Sequence, residues 1–206
     1  VDLDRGVTSR LTFEPGNENF PVWSADGKKI LYYAAGAGAG LYIKNASGAG
    51  GKELLLASSP ELTPTSWSRD GQLILYSRNH ETNGRDVWAL PLTSERKPYP
   101  LLEGPFDQDQ ALLSPEGKWL AYLSNESGRD EIYVESFPDR SGKWQVSNAG
   151  GQDPRWRGDS REIFYLGADM QMMSVAVQTQ PTFEAGVPQR LFNGRVLFPN
   201  ARNHYD

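Results

Sequence analysis

Four segments of this 206-residue chain repeat one another: Trp23-Ser24-Ala25-Asp26-Gly27, Trp67-Ser68-Arg69-Asp70-Gly71, Leu113-Ser114-Pro115-Glu116-Gly117 and Trp156-Arg157-Gly158-Asp159-Ser160. Their first residues lie 44, 46 and 43 positions apart. A period in the low-to-mid forties around a strand–turn–strand core is that of a β-propeller blade. The expected fold is therefore all-β: a β-propeller of four-stranded antiparallel blades, with four complete blades and a partial blade at each end.

Each repeat has the same internal order. A short strand ends at the Trp, or at Leu113, and a turn centred on Asp-Gly or its substitute follows. Glycine accepts positive φ there without a Cβ clash, which makes the dipeptide a strong hairpin signal. Apolar second strands come next, at 29–33, 73–76, 119–123 and 162–166, then third strands at 41–43, 86–90, 131–134 and 172–177. Weaker fourth strands are read at 53–56, 99–102, 143–146 and 189–192. Proline in this last group, as at Pro100, belongs at an edge because it cannot donate to a ladder. The blades run over about 18–56, 62–102, 107–147 and 151–192 within a single domain, 1–206, and partial blades are expected at 1–13 and 196–206. Two outcomes stay open for the ends: a composite blade that closes a ring, or an open arc that self-associates through its unpaired edges.

Composition narrows the function. Hydrophobic residues are only 38% of the chain, but aromatics reach 11% and supply large area per residue, so a core can form. The net charge of −5 argues against a nucleic-acid surface, which needs basic clusters to neutralise phosphates, and against binding to anionic lipid. Without cysteine there is no disulfide, thiolate nucleophile or thiolate zinc site. The uncharged stretch 30–43 is too short to span a membrane as a helix and carries three glycines, so it reads as strand–loop–strand. No secretory leader is read at Val1–Asp4.

The pattern P-x-W-S-x-D-G-K-x-I-x-Y from Pro21 to Tyr32 resembles the WD-like propeller repeat of the TolB family. Phe137 to Ser147, running on through Gly150 to Trp156, resembles the TolB-like propellers carried C-terminally by some bacterial serine/threonine kinases. The resemblance spans nearly the whole chain. It implies a bacterial, periplasmic or otherwise extracytoplasmic module for protein–protein interaction or ligand sensing, within a larger parent that carries a kinase domain. It also implies six or more blades, which exceeds what this chain holds. No H-R-D, D-F-G or V-A-I-K segment of a kinase is present.

The motifs that would carry chemistry are weak. The Gly36–Gly40 run lacks the last glycine of a dinucleotide fingerprint, having Leu41 there, and the 48–52 run has Ala46 and Glu53 where a P-loop needs Gly and Ser/Thr. Both read as flexible hairpin loops. There is no G-x-S-x-G elbow, and His80 lies in a polar loop, so no triad is read. Glu18, Asp107, Asp109 and Asp153 stand where the innermost strands begin, as paired carboxylates do in propeller glycosidases. A solvated channel rim is polar in any case, and Asp beside a turn commonly caps backbone groups, so the structural reading is preferred. Asp107-Gln108-Asp109 is a single D-x-D, too little for a calcium site. Trp23, Trp67 and Trp156 share one repeat position and are expected in the core, with Trp88, Trp119 and Trp144 likewise. The expectation is no catalytic residue, no metal, no cofactor and no enzyme activity. A protein or small-ligand partner is expected at the channel mouth, on Asn19, Thr63, Asp109, Gln152, Asp153 and Arg155, with Arg155 the strongest hot-spot candidate. The competing readings are a propeller glycosidase using the rim carboxylates and an accessory domain of a propeller-bearing peptidase.

Overall fold

The computed structural model describes residues 6, 10–14, 16–58, 60–80, 84–93 and 95–193. They form seventeen strands and no helix, so none is long and apolar enough to cross a membrane. Blade 1 is β1 (Glu18–Trp23), β2 (Lys29–Ala34), β3 (Gly40–Asn45) and β4 (Glu53–Ala57). Blade 2 is β5 (Leu62–Trp67), β6 (Leu73–His80), β7 (Gly84–Pro91) and β8 (Tyr99–Leu102). Blade 3 is β9 (Gln108–Leu113), β10 (Trp119–Ser124), β11 (Glu131–Ser136) and β12 (Lys143–Gln145). Blade 4 is β13 (Gln152–Trp156), β14 (Glu162–Leu166), β15 (Gln171–Gln178), β16 (Glu184–Ala185) and β17 (Gln189–Asn193). Each blade is an antiparallel sheet in chain order, and β1, β5, β9 and β13 stand side by side as the innermost strands. These are the blades of a β-propeller. The partial blade expected at 196–206 lies outside the described residues, as does most of the one expected at 1–13, of which residues 10–13 are in no strand.

The repeated W-S-x-D-G residues build the turn between the first and second strands. In blade 1 the Ser24 hydroxyl donates to Asp26 Oδ1 at 2.7 Å and accepts the Lys29 amide at 2.9 Å. Blade 2 repeats this with Ser68, Asp70 and Leu73. These serine hydroxyls are the main reason both aspartates sit below their ordinary carboxylate value. Gly27, Gly71 and Gly117 adopt φ of 67°, 73° and 71°, which only glycine takes without strain. Blade 4 solves the turn differently. Ser160 holds φ 61° in the glycine position, and Arg157 replaces the serine, donating to both Asp159 oxygens at 2.7 and 2.9 Å.

Packing is face to face between consecutive blades. Leu31, Tyr33, Leu41 and Ile43 of blade 1 meet Leu62, Ile74, Tyr76 and Leu90 of blade 2, with Trp67 packed against them. Leu75, Val87 and Ala89 on the opposite face of blade 2 meet Leu120, Tyr122 and Tyr133 of blade 3. Ala121, Ile132 and Val134 then meet Ile163, Tyr165 and Val175 of blade 4. Strand alternation makes this possible, because successive residues face opposite neighbours.

The same rule corrects the expectation for Trp23, which is 55% exposed. By register Trp23 pairs Ile30 as Trp67 pairs Ile74. Its face of blade 1 is the one that would meet a preceding blade. Among the described residues only a small cluster of Tyr32, Ala34 and Tyr42 covers that face. A second departure is in blade 4, whose outer edge is split between β16 and β17, both paired to β15. The inserted segment buries Phe183 against Trp119 and Trp144, with ring centroids 5.2 and 5.3 Å apart.

Two outcomes are expected. Trp67→Ala should cost about 3 kcal/mol, as deletion of a packed aromatic does, whereas the exposed Trp23→Ala should cost under about 1 kcal/mol. Equal losses in denaturant melts would contradict the blade-to-blade packing. Arg157 holds the Asp159 carboxyl down at about 2. The native state thus favours the ionised form, so its contribution is complete above the ordinary value of 3.8 and disappears as pH falls through about 2. Carboxyl NMR should show this low titration, and Arg157→Ala should return it towards 3.8.

Candidate binding site at the channel

The innermost strands share one irregularity. Each carries a bulge beginning three or four residues before the repeat Trp or Leu. In three blades the residue three positions before adopts positive φ without being glycine: Phe20 at 57°, Gln110 at 55° and Asp153 at 52°. Blade 2 has Pro64 there, whose ring fixes φ near −65° and forbids that conformation. A bulge re-aims side chains at the rim of a closed structure. Here Phe20, Thr63, Pro64, Gln110, Asp153 and Arg155 converge on the axis around a cavity of about 10 Å³, enough for one water.

Polar bonds lock this inner wall. Thr65 Oγ1 donates to the Ala111 carbonyl at 2.7 Å, tying blade 2 to blade 3, and the Asp153 amide donates to Gln110 Oε1 at 2.7 Å, tying blade 4 to blade 3. Arg85 of β7 donates through Nη1 to Asp109 Oδ2 at 2.7 Å and through its amide to Asp107 Oδ1 at 2.8 Å. Burial pushes the Asp109 carboxyl up, against the Arg85 charge and the Gln110 amide that pull it down. Glu131, fully buried, accepts the Gly150 amide at 3.0 Å and the Ser147 hydroxyl, and pairs with Arg129 at 2.7 Å. That cluster anchors the link from blade 3 into blade 4.

The six residues expected at the mouth therefore separate. Thr63, Asp153 and Arg155 meet at the axial constriction, where Thr63 and Asp153 are buried and Arg155 half-buried. Asp109, also buried, is drawn aside to Arg85. Gln152 lines a different cavity of about 230 Å³ between blades 3 and 4, with Arg129, Asp130 and Ala168. Asn19 is half-buried at the start of β1 and lines neither.

The larger opening lies on the other side of the constriction, on the face that carries the repeat turns. It is a depression of about 440 Å³ lined by Trp67, Arg69, Leu113, Arg155 and Trp156 among others. Arg155 also belongs to the constriction, which therefore forms the floor. Ala25, Arg69, Pro115 and Gly158, which all line it, are the variable third residues of the four repeats. Arg69 stands at the one repeat position that is different in every blade, so no motif marks it in the sequence. The signal was present in the repeat: a position that the turn leaves unconstrained is free to differ from blade to blade.

No protein-family model matches the chain, and no curated protein does. Solved structures do share its fold. TolB from Acinetobacter baumannii superposes with a TM-score of 0.68 at 18% identity, over 89% of this chain and 45% of that one. A puromycin-hydrolyzing peptidase of Mycobacterium tuberculosis gives 0.60 at 14% identity, over 87% of this chain and 37% of that one. A nidogen/laminin complex gives 0.62 at 8% identity, over 78% and 61%. The chain thus spans under half the length of the Acinetobacter TolB, and at these identities the likeness is one of fold, that of a β-propeller.

Thr65→Val keeps the shape but removes the hydroxyl that bridges to Ala111. It should cost about 1 kcal/mol, as loss of one internal hydrogen bond does. A melt unchanged from wild type would show that the blade 2–blade 3 latch contributes nothing.

Proposed function

We propose that this chain is a non-enzymatic propeller module of a larger bacterial protein, binding a protein or small-ligand partner at the mouth of its channel, outside the cytoplasmic membrane. The observation that carries this reading is the depression on the turn face, where two tryptophans and two arginines surround a preformed hollow. Tryptophan and arginine are the residue types enriched at binding hot spots. A wall held by inter-blade bonds loses little freedom when a partner docks, which lowers the ordering cost of association. Arg155 is the principal contact among the six residues singled out from sequence. Asn19 and Gln152 lie away from this hollow and take no part in the contact, while Thr63, Asp109 and Asp153 shape the wall. The resemblance of Phe137–Trp156 to kinase-linked propellers supports a role as the recognition end of a signalling protein.

The glycosidase reading is disfavoured by the same geometry. A retaining or inverting pair needs two carboxyl groups facing one sugar-sized space. Asp153 faces a space of about 10 Å³, and Asp109 is buried in its pair with Arg85. Panels of aryl glycosides and peptide anilides should show no turnover. Turnover abolished by Asp109→Asn or Asp153→Asn, with an unchanged thermal midpoint, would overturn the proposal.

A further inference from the structure

We infer that the turn-face depression receives an extended acidic segment of a partner protein, its carboxylate directed to Arg69 and Arg155 and a neighbouring apolar or aromatic side chain laid against Trp67 and Trp156. The inference rests on the binding reading above and names the chemistry of its partner.

Charge complementarity is the first argument. The chain carries a net charge of −5, yet two arginines and no acidic side chain line the walls of this depression among the described residues, and the carboxylate at its floor, Asp153, is buried. Arg69 is exposed at the rim and makes no ion pair among the described residues. The turn geometry does not require arginine there, since the corresponding residues are Ala25, Pro115 and Gly158. A guanidinium presents a planar fork of donors that matches a carboxylate bidentately.

Shape is the second. At about 440 Å³ the hollow is of ligand size. Its floor is closed at the constriction, whereas its rim is formed by exposed residues Ala25, Arg69 and Gly158 on three different blades. An enclosed small molecule would be covered on most sides. A chain segment that dips in and passes out over the turns suits an open rim better. Half-buried Trp67 and Trp156 offer apolar surface within the same hollow. A nucleic acid would satisfy the arginines too, but the net negative charge opposes a polyanion along the rest of its length.

The test is selection from a random-peptide phage library on immobilised protein, run on wild type, Arg69→Glu and Gly158→Trp. Both substitutions are at exposed turn positions, and a Cβ at Gly158 meets nothing within 4 Å. Their thermal midpoints should match wild type, which separates lost binding from lost fold. Selected peptides should pair Asp or Glu with an aromatic or large apolar residue. A synthetic representative should bind Arg69→Glu and Gly158→Trp at least about tenfold more weakly than wild type, a loss typical of a hot-spot contact. Basic or neutral peptides that Gly158→Trp excludes would overturn the acidic class and leave the mouth as the binding site. Peptides indifferent to both variants, or no enrichment at all, would overturn both readings.

Discussion

Everything in this molecule depends on the apolar contact between one blade and the next. A four-stranded sheet of this size cannot bury both its faces alone, so each blade is folded by its neighbours. The three interfaces use different residues to the same end: aliphatic and tyrosine side chains between blades 1 and 2 and between blades 2 and 3, and a cluster of Trp119, Trp144, Trp156 and Phe183 between blades 3 and 4. Aromatic pairs at these separations add to the area they bury. That explains how a chain only 38% hydrophobic supports an extended core.

The inner strands convert this packing into a site. Because the blades meet face to face, β1, β5, β9 and β13 are left edge-on to the axis, where bulges and prolines are tolerated. Positive φ at Phe20, Gln110 and Asp153 costs energy that the surrounding ladders must offset. The bulges bring side chains onto the axis and narrow it to the width of a water. The constriction closes the bottom of the turn-face hollow, and the turns, each fixed by its own hydrogen bonds, form its rim. The variable rim residues Ala25, Arg69, Pro115 and Gly158 can therefore differ between blades without disturbing the turns.

The fold was readable in the sequence because its determinants are local and repeated. Asp-Gly fixes the turn, alternation fixes the strands, and the period gives the blade. Where the environment differed between repeats, the pattern misled. Trp23 has the same sequence context as Trp67 but lacks a neighbouring blade among the described residues, so it is exposed. Phe183 lies outside any repeated position, and its place in the core comes from the segment inserted before β17. The carboxylates at the starts of the inner strands looked like a mouth because sequence cannot give depth. Asp109 and Asp153 are in fact buried at 4% and 2% exposure. Arg69 needed the three-dimensional coincidence of four turns before its position became meaningful.

The division of labour between repeated and variable turn residues can be tested by exchanging two variable residues between blades. A double variant Ala25→Arg with Arg69→Ala keeps composition and net charge and touches no packed side chain. It should unfold at the same denaturant midpoint as wild type, while the peptides it selects differ from those of the wild type. A midpoint lowered as in Trp67→Ala would show that the variable positions hold the fold together. An unchanged midpoint with unchanged peptide selection would show that recognition lies elsewhere on the molecule.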